Sequence, residues 1–174
     1  MLLRQDELNN LKGNLARYKG DLNKINELLY DWQLLAYSDG KTDAEQQLGK
    51  SVNTDLGHIE STINAKVGGK TAVQRTKEYF YLEDYEAIIN AFENERKRIY
   101  NIASFNAAKE LEAETKTWHC MMLPESRDTH IYLDGIEKPI DEYFSTYNGD
   151  SALYPRGFGE AEEDINCLCY LTFK

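Results

Sequence analysis

Cysteine and histidine are the side chains here best suited to nucleophilic or metal chemistry, and their placement is uneven. Cys167 and Cys169 flank Leu168 in the closing run "INCLCYLTFK", and the third cysteine, Cys120, follows Trp118 and His119. On an extended segment side chains alternate, so Cys167 and Cys169 share one face, about 6–7 Å apart. That geometry is poor for a mutual disulfide. Two thiolates, the Cys120 thiol and the His130 imidazole make up the inventory of a tetrahedral zinc set of three cysteines and one histidine. The spacing Cys-x9-His…Cys-x-Cys is not that of a zinc ribbon. Free cysteines also pack as compact hydrophobes, so both readings stand. Cys167 or Cys169 with His130 would make a nucleophile pair, but no third, orienting group is visible, and no catalytic residue is assigned. His119 faces opposite to Cys120 on its strand, and His58 lies among polar residues of an amphipathic helix. The acidic run "EAEED" at residues 160–164 reads as a solvated loop rather than an acid/base or metal site.

These residues need a scaffold, and the sequence suggests one of α+β class. A long helical N-terminal region, a helical hairpin plus a further helix, is followed by a small C-terminal domain with a short β-sheet and extended loops. Pro124, Pro139 and Pro155 all lie after residue 117, and proline breaks helix interiors. Leu8, Leu11, Leu15, Tyr18, Leu22, Ile25, Leu29 and Trp32 recur at alternating steps of three and four, a heptad stripe. "SDGKTD" reads as a turn at Ser38, Asp39 and Gly40. A second amphipathic segment runs through Leu48, Val52, Leu56, Ile59, Ile63 and Val67, so residues 1–70 are expected to form an antiparallel hairpin. "VGGKT" resembles a fragment of a phosphate loop without its strand and first glycine, and reads as a hinge. Residues 71–117 form a helical connector, with Ile88, Ile89, Phe92, Ile99, Ala103 and either Phe105 or Asn106 on its apolar side. Its run "ENERKR" reads as a solvated face, and Tyr79, Tyr81 and Tyr85 as packing. Residues 118–174 form the compact domain, with strands at Trp118 and through the final cysteines and turns at Asp134-Gly135 and Asn148-Gly149.

The formal net charge is −10, and residues 118–174 carry most of it, four Lys/Arg against eleven Asp/Glu. Such a surface repels nucleic acid and anionic lipid, so no direct nucleic-acid contact is expected from the C-terminal domain. No apolar run approaches the roughly 20 residues of a membrane span. The start "MLLRQDELNN" turns polar after Leu3, unlike a signal peptide, which points to a cytosolic chain with reduced thiols.

The order of residues in the last third carries a further signal. Trp118 is followed by Arg127, by His130 with Leu133-Asp134-Gly135, by Tyr154-Pro155, and by Asn166-Cys167-Leu168-Cys169. This set resembles the head-morphogenesis, or minor head protein, family of tailed bacteriophages, the Mu F-like family, over about residues 100–174. Arg127 stands for the last arginine of that family's Arg-Thr-Arg triplet, and Leu168 replaces its arginine between the cysteines. The resemblance implies a non-enzymatic virion component at the portal vertex or capsid interior, made in the host cytoplasm and acting in head assembly or DNA delivery. Its helical region would grip portal, capsid or scaffold proteins, with self-association through the heptad stripe. Zinc is the one cofactor the residues suggest. Some relatives are fused to toxin domains, and no residues follow the signature here to hold one.

The alternative expectation is a secreted effector or toxin-related protein. A helical N-terminal region with Trp32 resembles the export leaders of Gram-positive secretion systems, although Gln33-Leu34 replaces their tryptophan-x-glycine turn.

Overall fold

The computed structural model describes residues 5–53 and 56–174; the polar switch after Leu3 lies outside the described residues. The chain folds as the α+β architecture expected from its sequence. Five helices come first: α1 (Gln5–Arg17), α2 (Leu22–Leu48), α3 (Leu56–Ile63), α4 (Ala72–Tyr81) and α5 (Tyr85–Glu110). The rest holds β1 (Thr115–His119), α6 (Asp128–Ile131), β2 (Glu137–Pro139), β3 (Phe144–Ser145), β4 (Ser151–Ala152), α7 (Ala161–Asp164) and β5 (Tyr170–Phe173).

The heptad stripe is buried inside the molecule. Leu11, Leu15, Ile25, Leu29 and Trp32 form one core with Ile88, Ile89 and Phe92 of α5. The stripe is broken where Gly20 takes a left-handed φ of 89°. Asp21 then caps α2, its side chain accepting from the Lys24 amide at 3.1 Å.

The expected turn at "SDGKTD" is instead part of α2, which runs on to Leu48 and ends at Gly49 in the left-handed region. Gly40 is there for packing: a Cβ at this position would overlap the Tyr100 carbonyl of α5. The same residue type that breaks helices is here the one that lets two helices touch.

The chain reversal also comes later than the sequence suggests. The long partner of α2 is α5, and the two run in the same direction. Trp32 Nε1 donates to the Phe92 carbonyl at 3.1 Å, Gln33 meets Glu95, and the Tyr100 hydroxyl donates to Asp43 at 2.7 Å. Helices α3 and α4 carry the chain back between them. The glycines of "VGGKT" form a tight two-residue turn rather than a hinge. Gly68 and Gly69 have φ of 55° and 79°, and Val67 and Lys70 exchange backbone hydrogen bonds of 3.0 and 3.2 Å. Thr71 and Gln74 then close a capping box that starts α4.

Strand β1 is central in a three-stranded antiparallel sheet of order β2-β1-β5, with Trp118 opposite Leu171. The β3–β4 pair forms a second, two-stranded sheet. Trp118, Phe144, Leu133, Leu171, Phe173 and the two late cysteines form a core continuous with Phe105 and Ala108 of α5. The helical region and the small sheet therefore share α5. No helix among the described residues is long and apolar enough to cross a membrane.

Candidate functional site

The final cysteines approach β5 on an extended segment, and the alternation expected there holds. Cys167, Cys169, Leu171 and Phe173 are all buried. Both sulfurs meet His130 of the short helix α6. Cys167 Sγ lies 3.4 Å and Cys169 Sγ 3.5 Å from His130 Nδ1. Two aromatic rings and a carboxylate surround the imidazole. Phe158 stacks on it at 5.5 Å, Trp118 meets it edge-on at 5.7 Å, and Nε2 lies 2.8 Å from Glu163 Oε2, off the line of a hydrogen bond. The Thr129 hydroxyl donates to the same Glu163 oxygen at 3.1 Å.

The Cys169 thiol holds its proton against the Cys167 sulfur, which pushes Cys167 well below and Cys169 well above the usual thiol range. His130, Cys167 and Cys169 thus gather, with all donor atoms within 4.8 Å of one another. Cys120, the fourth residue of the expected set, is half-buried outside that distance but lines the same cavity of about 20 Å³.

The other residues of the signature build the frame around this cluster. Trp118 is fully buried at the centre of the sheet. Arg127 donates to the Ile165 carbonyl at 2.5 Å, tying α6 to the segment before the cysteines. Asp134 accepts from the Cys120 amide at 2.7 Å, and Gly135, with φ of 74°, donates to the Trp118 carbonyl at 2.8 Å. Leu133 and Pro155 are buried. Tyr154 packs on Phe105 with ring centres 5.1 Å apart. Asn166 takes a left-handed φ of 59° immediately before Cys167.

A second site was not expected. A cavity of about 510 Å³ opens between the Val67–Lys70 turn, α4, one side of α5 and the segment from Arg156 to Asn166. At its base Glu95, only 2% exposed, accepts from Gln33 at 3.0 Å and from Arg98, with Arg75 at 3.4 Å. Arg98 also donates to the Thr62 carbonyl at 2.9 Å. The run "ENERKR" is therefore no solvated face, since Glu95, Arg96 and Arg98 are all buried. The signal was present in the sequence: Ile88, Phe92, Glu95 and Ile99 continue one stripe at steps of four, three and four, so Glu95 occupies a core position.

"EAEED" also departs from expectation, with Glu163 and Asp164 buried. Glu163 serves His130, and Asp164 accepts from the Phe158 and Gly159 amides at 3.1 and 2.9 Å. Burial raises the Asp164 pKa, which these amides oppose.

The cavity walls hold Lys70, Arg75, Arg98 and Arg156 against Glu95 and Asp164, a local excess of two positive charges in a chain of net charge −10. Burial depresses Arg156 to about 10. Asn90, Asn94 and Asn166 add neutral donors and acceptors, and Tyr79 adds an aromatic surface. Arg156 and Asn94, which no sequence pattern marked, join this cavity to the cysteine segment. Arg156 donates to the Asn94 carbonyl and side-chain oxygen, each at 2.8 Å, and Asn94 Oδ1 accepts from the Asn166 amide at 2.9 Å.

No family model and no solved structure matches the chain. A curated protein does: NAD(+)--arginine ADP-ribosyltransferase EFV of Enterococcus faecalis, 46% identical over 66 residues. The match takes in 37% of this chain and 13% of the transferase.

This finding corrects two expectations. The non-enzymatic minor head protein gives way, because the shared sequence belongs to a protein named for an enzymatic transfer. The expectation that the chain is not an enzyme falls on the same ground. The toxin-related alternative fits better, although Trp32 does not mark a detachable leader: it is built into the core against Phe92, with ring centres 6.5 Å apart.

Proposed function

We propose that this chain is a toxin-related protein serving NAD-dependent ADP-ribosylation of arginine, and that the cavity along α5 holds the dinucleotide. The observation that carries this reading is the 46% identity over 66 residues with the Enterococcus faecalis transferase. The cavity supports it in three ways. Its volume of about 510 Å³ lies within the range of small-molecule sites, about 300–1,000 Å³. Its excess of guanidinium and ammonium groups suits a pyrophosphate, which arginine recognises through paired N–H groups. Its asparagines and Tyr79 offer hydrogen bonds for ribose and a ring face for a base.

Within this reading Glu95 is an organiser. Its carboxylate is occupied by Arg98, Arg75 and Gln33, so it fixes two arginines at the cavity floor rather than moving protons. Arg75, anchored to the Val67 and Lys70 carbonyls at 3.1 and 2.8 Å, is the more exposed of these two arginines and the one that meets a phosphate first.

Calorimetric titration with NAD⁺ tests the proposal. One site per chain is expected, with affinity weakened about tenfold, or about 1.4 kcal/mol, by Arg75→Gln. No binding at millimolar NAD⁺ would overturn it. A parallel assay for nicotinamide release with agmatine as arginine acceptor separates a module that completes the transfer alone from one that only holds the dinucleotide.

A further inference from the structure

We propose that His130, Cys167 and Cys169, with Cys120 as fourth ligand, bind a structural zinc ion that fixes the last segment of the chain on the small domain. A tetrahedral ion with Zn–S of about 2.3 Å and Zn–N of about 2.0 Å places each sulfur about 3.5 Å from the nitrogen. The two separations here are 3.4 and 3.5 Å. One imidazole nitrogen facing two sulfurs almost equally is poor hydrogen bonding, because Nδ1 carries at most one proton. It is the arrangement of three donors around a common point.

The surroundings fit as well. Glu163, itself held by Thr129, lies 2.8 Å from the far nitrogen, off the hydrogen-bond line, on the side where a carboxylate commonly backs a metal-bound histidine. Phe158 and Trp118 leave the ring little freedom to turn away. A pocket of about 20 Å³ lined by the three donors and Cys120 adjoins the cluster. Cys120 lines that cavity and joins the set by rotating its side chain. Two or three thiolates with one imidazole select a soft or borderline ion and disfavour magnesium and calcium. Zinc takes its cysteines as thiolates, so uptake releases the protons that those thiols still carry. The site is independent of the dinucleotide reading, since none of its ligands lines the α5 cavity.

Full-length protein purified without added metal and dialysed should carry about one zinc per chain. X-ray absorption at the zinc edge should show three sulfurs at about 2.3 Å and one nitrogen at about 2.0 Å. Cys167→Ser and Cys169→Ser should each lose the metal. Cys120→Ser should keep it with one sulfur fewer. Glu163→Gln, a positioning change, should weaken zinc binding about 10–100-fold without removing a ligand. Should the serine variants fail to fold, the wild-type absorption spectrum still decides. Folded wild-type protein with less than about a tenth of a zinc per chain, or with zinc bound only by oxygen and nitrogen, would overturn the site.

Discussion

Arg156 reaches from the wall of the α5 cavity to the cysteine segment, its Nε donating to the Cys167 carbonyl at 2.9 Å. The same guanidinium holds Asn94 of α5 through two further bonds. One side chain therefore ties the longest contact surface of the helical region to the segment that carries both late cysteines. Arg156 itself has a left-handed φ of 68°, so its backbone is shaped to deliver that side chain.

Arg156→Lys should loosen both regions at once, because an ammonium cannot reproduce three bonds in a fixed planar fork. Losing charge-assisted bonds at a buried site costs about 1.5–3 kcal/mol, or roughly 4–10 °C in melting temperature for a chain of this size. Scanning calorimetry measures the shift. Amide exchange should locate the loosening at residues 90–98 and 165–169. A change confined to the residues flanking Arg156 would contradict the tie.

Two glycines on the helical side should respond oppositely to alanine. Gly40→Ala drives a methyl into the Tyr100 carbonyl, an overpacking that costs about 1–3 kcal/mol. Gly13 in α1 has open space around the same position, so Gly13→Ala should stabilise by up to about 1 kcal/mol through helix propensity alone. Urea denaturation of the two variants gives both signs. Equal effects would show that Gly40 marks no close helix crossing.

That pair of glycines also shows what the sequence made legible. The apolar stripes of α1, α2 and α5 and the shared face of Cys167 and Cys169 were read from periodicity, because burial of one face imposes it, and the loop-rich last third from its prolines. Gly40 was misread because local turn chemistry and a close helix approach call for the same residue. Glu95 and Arg98 were misread because a mixed-charge run is usually solvated, and only their register on the α5 stripe told otherwise. The convergence of His130 with the two cysteines was anticipated as an inventory. The α5 cavity was not, since Arg75, Asn94, Arg98 and Arg156 come from separate segments that only the tertiary fold brings together.

Lys116 offers a pH test of the domain core. It is fully buried, its ammonium donating to the Leu153 carbonyl at 2.8 Å and lying 4.8 and 5.2 Å from the Phe105 and Phe144 ring centres. Burial lowers its pKa from 10.5 to about 8. Below pH 8 the folded and unfolded states are both protonated there, and the group adds no slope. Above it the folded state releases the proton first, the unfolded state binds more protons, and stability from this group rises towards pH 10.5. The urea midpoint of the wild type should therefore gain on that of Lys116→Met between pH 8 and 10. A wild-type midpoint that stays level with, or falls relative to, that of Lys116→Met over this range would show that the ammonium is not depressed.

Photolabelling with an azido-adenine analogue of the dinucleotide shows whether the α5 cavity holds NAD⁺. Label is expected on peptides carrying Tyr79, residues 87–98 or residues 156–166, suppressed by excess NAD⁺ and reduced about tenfold at subsaturating analogue in Arg75→Gln. Label that NAD⁺ does not compete away, or that falls on the face of the molecule away from α4 and α5, would contradict it.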